Sequence, residues 1–158
     1  MILLKNTNTK SILSTLLYIT GIILFITLVG EIGRHIYLIV CNFTFESVVN
    51  LITTSIYLYG YFTITRYLIA IVESTYSTPF IENNVSRLRK MGYYLIINVI
   101  LEGISDFYKK GVSILIGTSN GSIKLSTVMG IILALMCFVI AEVFEKAIKM
   151  KEENDLTI

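Results

Sequence analysis

Long apolar runs alternate with short polar or charged interruptions along this chain, and the runs have the length of bilayer-crossing helices. Ser11 to Gly30 carries no charge and is about 20 residues long, which is what a hydrocarbon layer of about 30 Å requires of a helix. Lys5 and Lys10 precede it and Glu31, Arg34 and His35 mark its far end, so a first transmembrane helix is expected over 11–33. The run is too long for the core of a cleaved signal peptide, and no small-x-small motif follows it. Residues 36–45 are apolar and rich in β-branched side chains, a composition that predicts an external strand or an interfacial segment.

A second apolar stretch, interrupted only by Arg66, predicts a helix over 47–72, closed by Glu73 and the turn-forming Ser-Thr-Pro at 77–79. Between 80 and 90, Phe80, Ile81, Val85 and Leu88 stand near helical spacing with Arg87, Arg89 and Lys90 beside them. That pattern predicts a short amphipathic helix on the inner membrane surface. A third helix is expected over 91–110, ending at Lys109 and Lys110. Ser119-Asn120-Gly121-Ser122, between apolar flanks at 113–118 and 123–126, signals a small extracellular β-hairpin. A fourth helix follows over 125–148, and 149–158 reads as an exposed, fraying helical tail. The expected fold class is an all-α membrane protein: one integral membrane domain over 1–158, built as a four-transmembrane-helix bundle.

Composition supports the membrane reading. Hydrophobic residues make up 54% of the chain and charged residues 15%, with a mean hydropathy of +0.75, which leaves too little polar surface for a soluble domain. A single proline fits long unbroken helices, and ten tyrosines with no tryptophan make Tyr the interfacial aromatic. Lys5, Lys10, Arg87, Arg89, Lys90, Lys146, Lys149 and Lys151 fall on one side of this layout, against Arg34, Lys109, Lys110 and Lys124 on the other. The excess places both termini in the cytoplasm, since short cytoplasmic loops collect Lys and Arg.

Little in the chain suggests catalysis. Cys41 and Cys137 have no paired spacing, and the single His35 excludes the two-histidine metalloprotease motif and argues against a His-based triad. We therefore expect no enzyme, no bound metal and no cofactor. Charged groups inside a span are costly and are functional candidates by default. Arg66 on the second helix, and Asn98, Glu102 and Asp106 at every fourth position of the third, form such an intramembrane polar seam. With Met91 at the inner boundary, Glu102 would be about 16 Å deep, near the midplane. One reading makes the seam a site for a cation, a proton or a small polar ligand. The other, which carries more weight, is structural pairing, Arg66 with Glu102, because unpaired buried charge costs more than paired charge.

At the outer boundary, Glu31, Arg34 and His35 form a charged cluster, and His35 there is more simply solvated than a pH sensor. On the inner side Arg87, Arg89 and Lys90, with Phe144 and Ile148 of the tail, offer contacts to anionic lipids of the bilayer or to a cytoplasmic protein. This basic face is too small for direct nucleic-acid binding.

Two stretches, Phe80-Ile-Glu-Asn-Asn-Val-Ser-Arg-Leu-Arg-Lys-Met-Gly-Tyr-Tyr-Leu95 and Ala141 to Ile158 with its ending Lys-Glu-Glu-Asn-Asp-Leu-Thr-Ile, resemble the YoaS-like family of small bacterial membrane proteins, a domain of unknown function. The resemblance implies a four-span layout along the chain. It further implies a regulatory pair in the bacterial cell membrane, because the neighbouring gene in that family often encodes a small helix-turn-helix regulator. The leading expectation is a membrane-bound regulatory or interaction protein whose segments 80–90 and 144–158 engage that regulator. One alternative is a small ion or solute transporter or channel, built as a homo-oligomer around the Glu102/Asp106 face. A further alternative is an immunity protein against a membrane-active toxin.

Overall fold

The computed structural model describes residues 2–75, 80–108, 116–118 and 121–155, with side chains described over 10–75, 80–103 and 124–154. Four helices account for nearly all of it: α1 (Ile2–Cys41), α2 (Phe45–Ser74), α3 (Glu82–Tyr108) and α4 (Leu125–Asp155). Three of them, over Lys10–Cys41, Phe45–Ser74 and Leu125–Asn154, are long and apolar enough to cross a membrane. Two three-residue strands, β1 (Ile116–Thr118) and β2 (Gly121–Ile123), pair antiparallel with Ile116 opposite Ile123. Residues 113–115 and 119–120 of the expected hairpin, the turn at 77–79, Lys109, Lys110 and residues 156–158 lie outside the described residues.

The helix limits differ from expectation in three places, the first being that α1 begins at Ile2 and not near Ser11. Residues 36–41 continue α1 without a break. They contain neither Gly nor Pro, and extending an existing helix costs far less than starting a new element, so their β-branched preference for strand is overridden. Nor is the segment 82–90 a separate surface helix; it is the first part of α3. Its apolar stripe Val85–Leu88 continues through Met91 and Leu95, all buried. A stripe held in one helical register over several turns favours a straight helix over a bend at Met91.

Short segments stop the helices. Thr44 is extended (φ −130°, ψ 142°) at the start of α2, and its hydroxyl meets that of Ser47 at 2.9 Å. At the far end of α2 the hydroxyls of Ser74 and Thr75 donate to the carbonyls of Ile71 and Val72 at 2.6 and 2.7 Å, turning the last helical acceptors inward.

Each helix packs on its neighbour in sequence, α1 on α2, α2 on α3 and α3 on α4, and no comparable contact joins α1 back to α4 among the described residues. The assembly is an open row with its core on the α2–α3–α4 side. Ile64, Met91, Leu95 and Ala134 form one buried cluster, and Val85, Leu88 and Ala141 form another. Small residues let the backbones approach, as expected where lipid gives helices no hydrophobic reason to associate. A Cβ on Gly60 would lie 2.6 Å from Asn98 Oδ1, and one on Gly92 would lie 2.7 Å from the Phe138 ring. By contrast, His35 is the only buried side chain that α1 contributes among the described residues.

Candidate functional site

The polar side chains gather at three levels along the row, set by the antiparallel register. At the end where α2 stops and α3 begins, Asn84 is completely buried. Its Nδ2 donates to Ser74 Oγ at 2.6 Å, and its Oδ1 accepts from Arg87 Nη1 at 2.8 Å. The same Nη1 donates to Ala70 O in the last turns of α2, at 3.2 Å. Arg87 thus brings positive charge to the negative end of the α2 macrodipole while satisfying a buried amide. On the other side of α3, Arg89 pairs with Glu145 at 2.5 Å, and Lys149 reaches the same carboxylate at 3.3 Å. Phe144 packs against Phe80 with ring centroids 5.1 Å apart, and Ile148 packs on the Val85–Leu88–Ala141 cluster.

Of the expected docking residues, Arg87, Arg89, Phe144 and Ile148 are therefore engaged within the chain. Lys90 is exposed with no partner among the described residues. A groove of about 490 Å³ runs beside them, lined on α3 by Ser86, Arg89, Lys90 and Tyr93 and on α4 by Glu145 and Lys149.

At the middle level, Asn98 sits 1% exposed over Gly60, its Nδ2 donating weakly to Tyr57 O at 3.3 Å. Its Oδ1 has no conventional donor. It occupies the space that a side chain at position 60 would fill, which only glycine leaves open. Arg66 is exposed on α2 and does not meet Glu102. The carboxylate of Glu102 instead accepts from Ser126 Oγ in the first turn of α4, at 2.6 Å. Glu102 thus lies beside the positive end of the α4 macrodipole, level with the start of α4's apolar run and not halfway along it. The expected Arg66–Glu102 pair is absent because α3 turns Glu102 toward α4 while Arg66 faces outward from α2. Asp106 is helical, and its side chain lies outside the described residues.

The outer cluster does come together. Arg34 donates to Glu31 Oε2 from Nε at 2.8 Å and from Nη2 at 2.6 Å, and its Nη2 also donates to His35 Nε2 at 3.2 Å. His35 is 7% exposed, packed between α1 and α2 and not solvated as expected.

Three groups escaped the sequence reading. Asn84 is the hub of the knot where α2 ends and α3 begins; its signal was the apolar stripe of α3, which extended backward by one turn falls on position 84. Tyr18 donates to Glu73 at 2.5 Å and Lys10 to Thr75 O at 2.9 Å, tying α1 to the end of α2. No sequence spacing announces contacts between residues so far apart along the chain.

Comparison with known proteins gives one match. The family model described as protein of unknown function (DUF2975) matches residues 37–158, a stretch that holds α2, α3 and α4 and leaves out nearly all of α1. No curated protein and no solved structure matches the chain.

Proposed function

The chain belongs to the family of proteins of unknown function DUF2975, and from that premise we propose that it is a non-catalytic, four-span bacterial membrane protein that engages a small soluble helix-turn-helix regulator at its inner face. The span count rests on topology. α2 and α4 both pack antiparallel to α3, so they run in the same direction at the same level. If both cross, the chain must return between them, and α3 is the return. Its short apolar run from Met91 to Leu101 suffices because neighbours shield its polar groups: Asn84 and Arg87 answer α2, and Glu102 answers α4. On this layout both termini and the α3–α4 groove are cytoplasmic, and the β1–β2 pair is extracellular. Arg66, eight residues before the inner end of α2, lifts its guanidinium along its apolar stem toward anionic headgroups.

The groove between α3 and α4 carries the interaction reading. It combines charges of both signs with Tyr93 and with Lys90, which has no partner among the described residues, at the end of the molecule where the basic residues concentrate. The YoaS-like resemblance supplies the class of partner. The test is retention of the neighbouring regulator by the intact protein in nanodiscs, compared with Lys90→Glu, Ser86→Arg and a chain shortened after Lys149. These changes spare Arg87 and Phe144, which hold the fold together. Loss of the regulator in the altered proteins supports the reading. Failure of the intact protein to retain it in both detergent and nanodiscs removes it.

A further inference from the structure

We propose that the pocket between α1 and α2 at the His35 level binds a single oxyanion, a carboxylate or a phosphate. The pocket has a volume of about 250 Å³ and is lined by Arg34, His35 and Leu38 of α1 and Ser47, Asn50 and Thr54 of α2. It is separate from the α3–α4 groove, so the two proposals stand or fall independently.

The polar groups around it have hydrogen-bonding capacity left over. A guanidinium only donates, so the Arg34 Nη2 contact makes His35 Nε2 an acceptor and leaves the imidazole proton on Nδ1. That Nδ1–H has no partner among the described residues, yet the atom is not sealed off as a buried orphan. The residue itself lines the pocket. Arg34 spends Nε and Nη2 on Glu31 and keeps Nη1.

The α2 wall behaves the same way. Thr15, Thr20 and Thr27 of α1 and Thr63 and Thr65 of α2 each donate to the carbonyl four residues earlier, a common choice for a helical threonine, though Thr53 beside the pocket does not. Thr54, half-buried on the pocket, makes no such bond, and the half-buried Asn50 amide makes none either. Only Ser47 is committed, to Thr44 at 2.9 Å.

Half-buried groups at a helix–helix interface normally find partners. Here Arg34, His35, Asn50 and Thr54 line one space from two helices, each with hydrogen-bonding capacity left over. Donors outnumber acceptors, and the one full charge on the lining is positive. An acceptor-rich, negatively charged group fits that set, and Glu31, whose Oε2 binds Arg34 and lies 3.9 Å from His35 Nε2, holds Arg34 in place without lining the pocket. The oxyanion has two sources, the phosphodiester of an anionic lipid or a free anion from the aqueous side.

His35 is the only histidine in the chain, so full-length protein labelled with ¹⁵N-histidine and carrying a histidine-free affinity tag reports on this pocket alone. In nanodiscs of zwitterionic lipid, inorganic phosphate or acetate is titrated from solution; in a second series phosphatidylglycerol is added to the disc. We expect a saturable shift of the His35 ring resonances, with the free anions or with the lipid according to source. The Asn50→Leu/Thr54→Val double variant should weaken the apparent affinity at least about tenfold, and Asn50→Asp, which preserves side-chain shape, should abolish the shift by charge repulsion. Thermal midpoints of the variants confirm that the helices remain packed. Resonances that no phosphate, acetate or phosphatidylglycerol moves, a pocket holding water alone, would overturn the proposal. So would an unchanged shift in the double variant.

Discussion

The two halves of the row hold together by different means. In α2–α3–α4, small residues bring backbones close, apolar side chains are buried in two clusters, and α3 meets the ends of both neighbours with complementary charge. Between α1 and α2 there is no buried apolar cluster among the described residues. Contact rests on polar ties near one end, Lys10 with Thr75 and Tyr18 with Glu73, on the Phe25–Phe62 ring pair at 5.9 Å, and on His35. Within lipid, apolar area does not drive helices together, so packing density and hydrogen bonds decide which contacts are firm. By that measure α3 is the keystone, while α1 lies along α2 as closely as α4 lies along α3 but without a buried apolar cluster between them. The family match, which starts at residue 37, falls almost entirely on the firmly packed part.

Substitutions can break this contrast in graded steps, read as unfolding free energy in bicelles. Gly60→Leu would place side-chain atoms inside the Asn98 amide and should cost about 3 kcal/mol, the upper range for overpacking a well-filled contact. Arg87→Ala takes a charged donor from Asn84 Oδ1 and from the Ala70 carbonyl, and should cost about 2 kcal/mol, the range for hydrogen bonds to a charged group. Glu102→Gln keeps a hydrogen bond to Ser126 while removing the charge at the α4 N-terminus, and should cost about 0.5 kcal/mol. Phe25→Leu at the α1–α2 contact should cost about 0.5 kcal/mol, since a leucine retains most of the area and loses only the ring geometry. Were Phe25→Leu to cost as much as Gly60→Leu, the distinction between a packed part and an attached helix would fail.

The apolar runs of the first, second and fourth helices were legible because length and lack of charge need no partner to be read. Helix limits were less so: residues 36–41 look like a strand by composition and become helix by continuity. The polar residues of α3 misled in an instructive way. Glu102 looked deep because depth was counted from Met91 along one helix, whereas the contact with Ser126 fixes its level against α4. Arg66 and Glu102 looked like partners because sequence gives axial position but not the angle at which neighbouring helices meet. His35 looked solvated because its neighbours Glu31 and Arg34 are charged, and burial against α2, where Asn50 and Thr54 line the same pocket, is invisible until that helix folds back.

The α1–α2 hairpin has one more consequence, for the bilayer itself. Exposed apolar side chains run along α1 from Ile12 to Val40, with the exposed Arg34 among them, about 42 Å of helix against a hydrocarbon layer of about 30 Å. Such a pair must lean, thicken the lipid around it or project its Phe43 tip into the water. Each response carries a small elastic cost per ångström that grows in thin membranes. The protein should accordingly partition toward the thicker regions of a cell's membrane and lose its grip on α1 first when acyl chains are shortened.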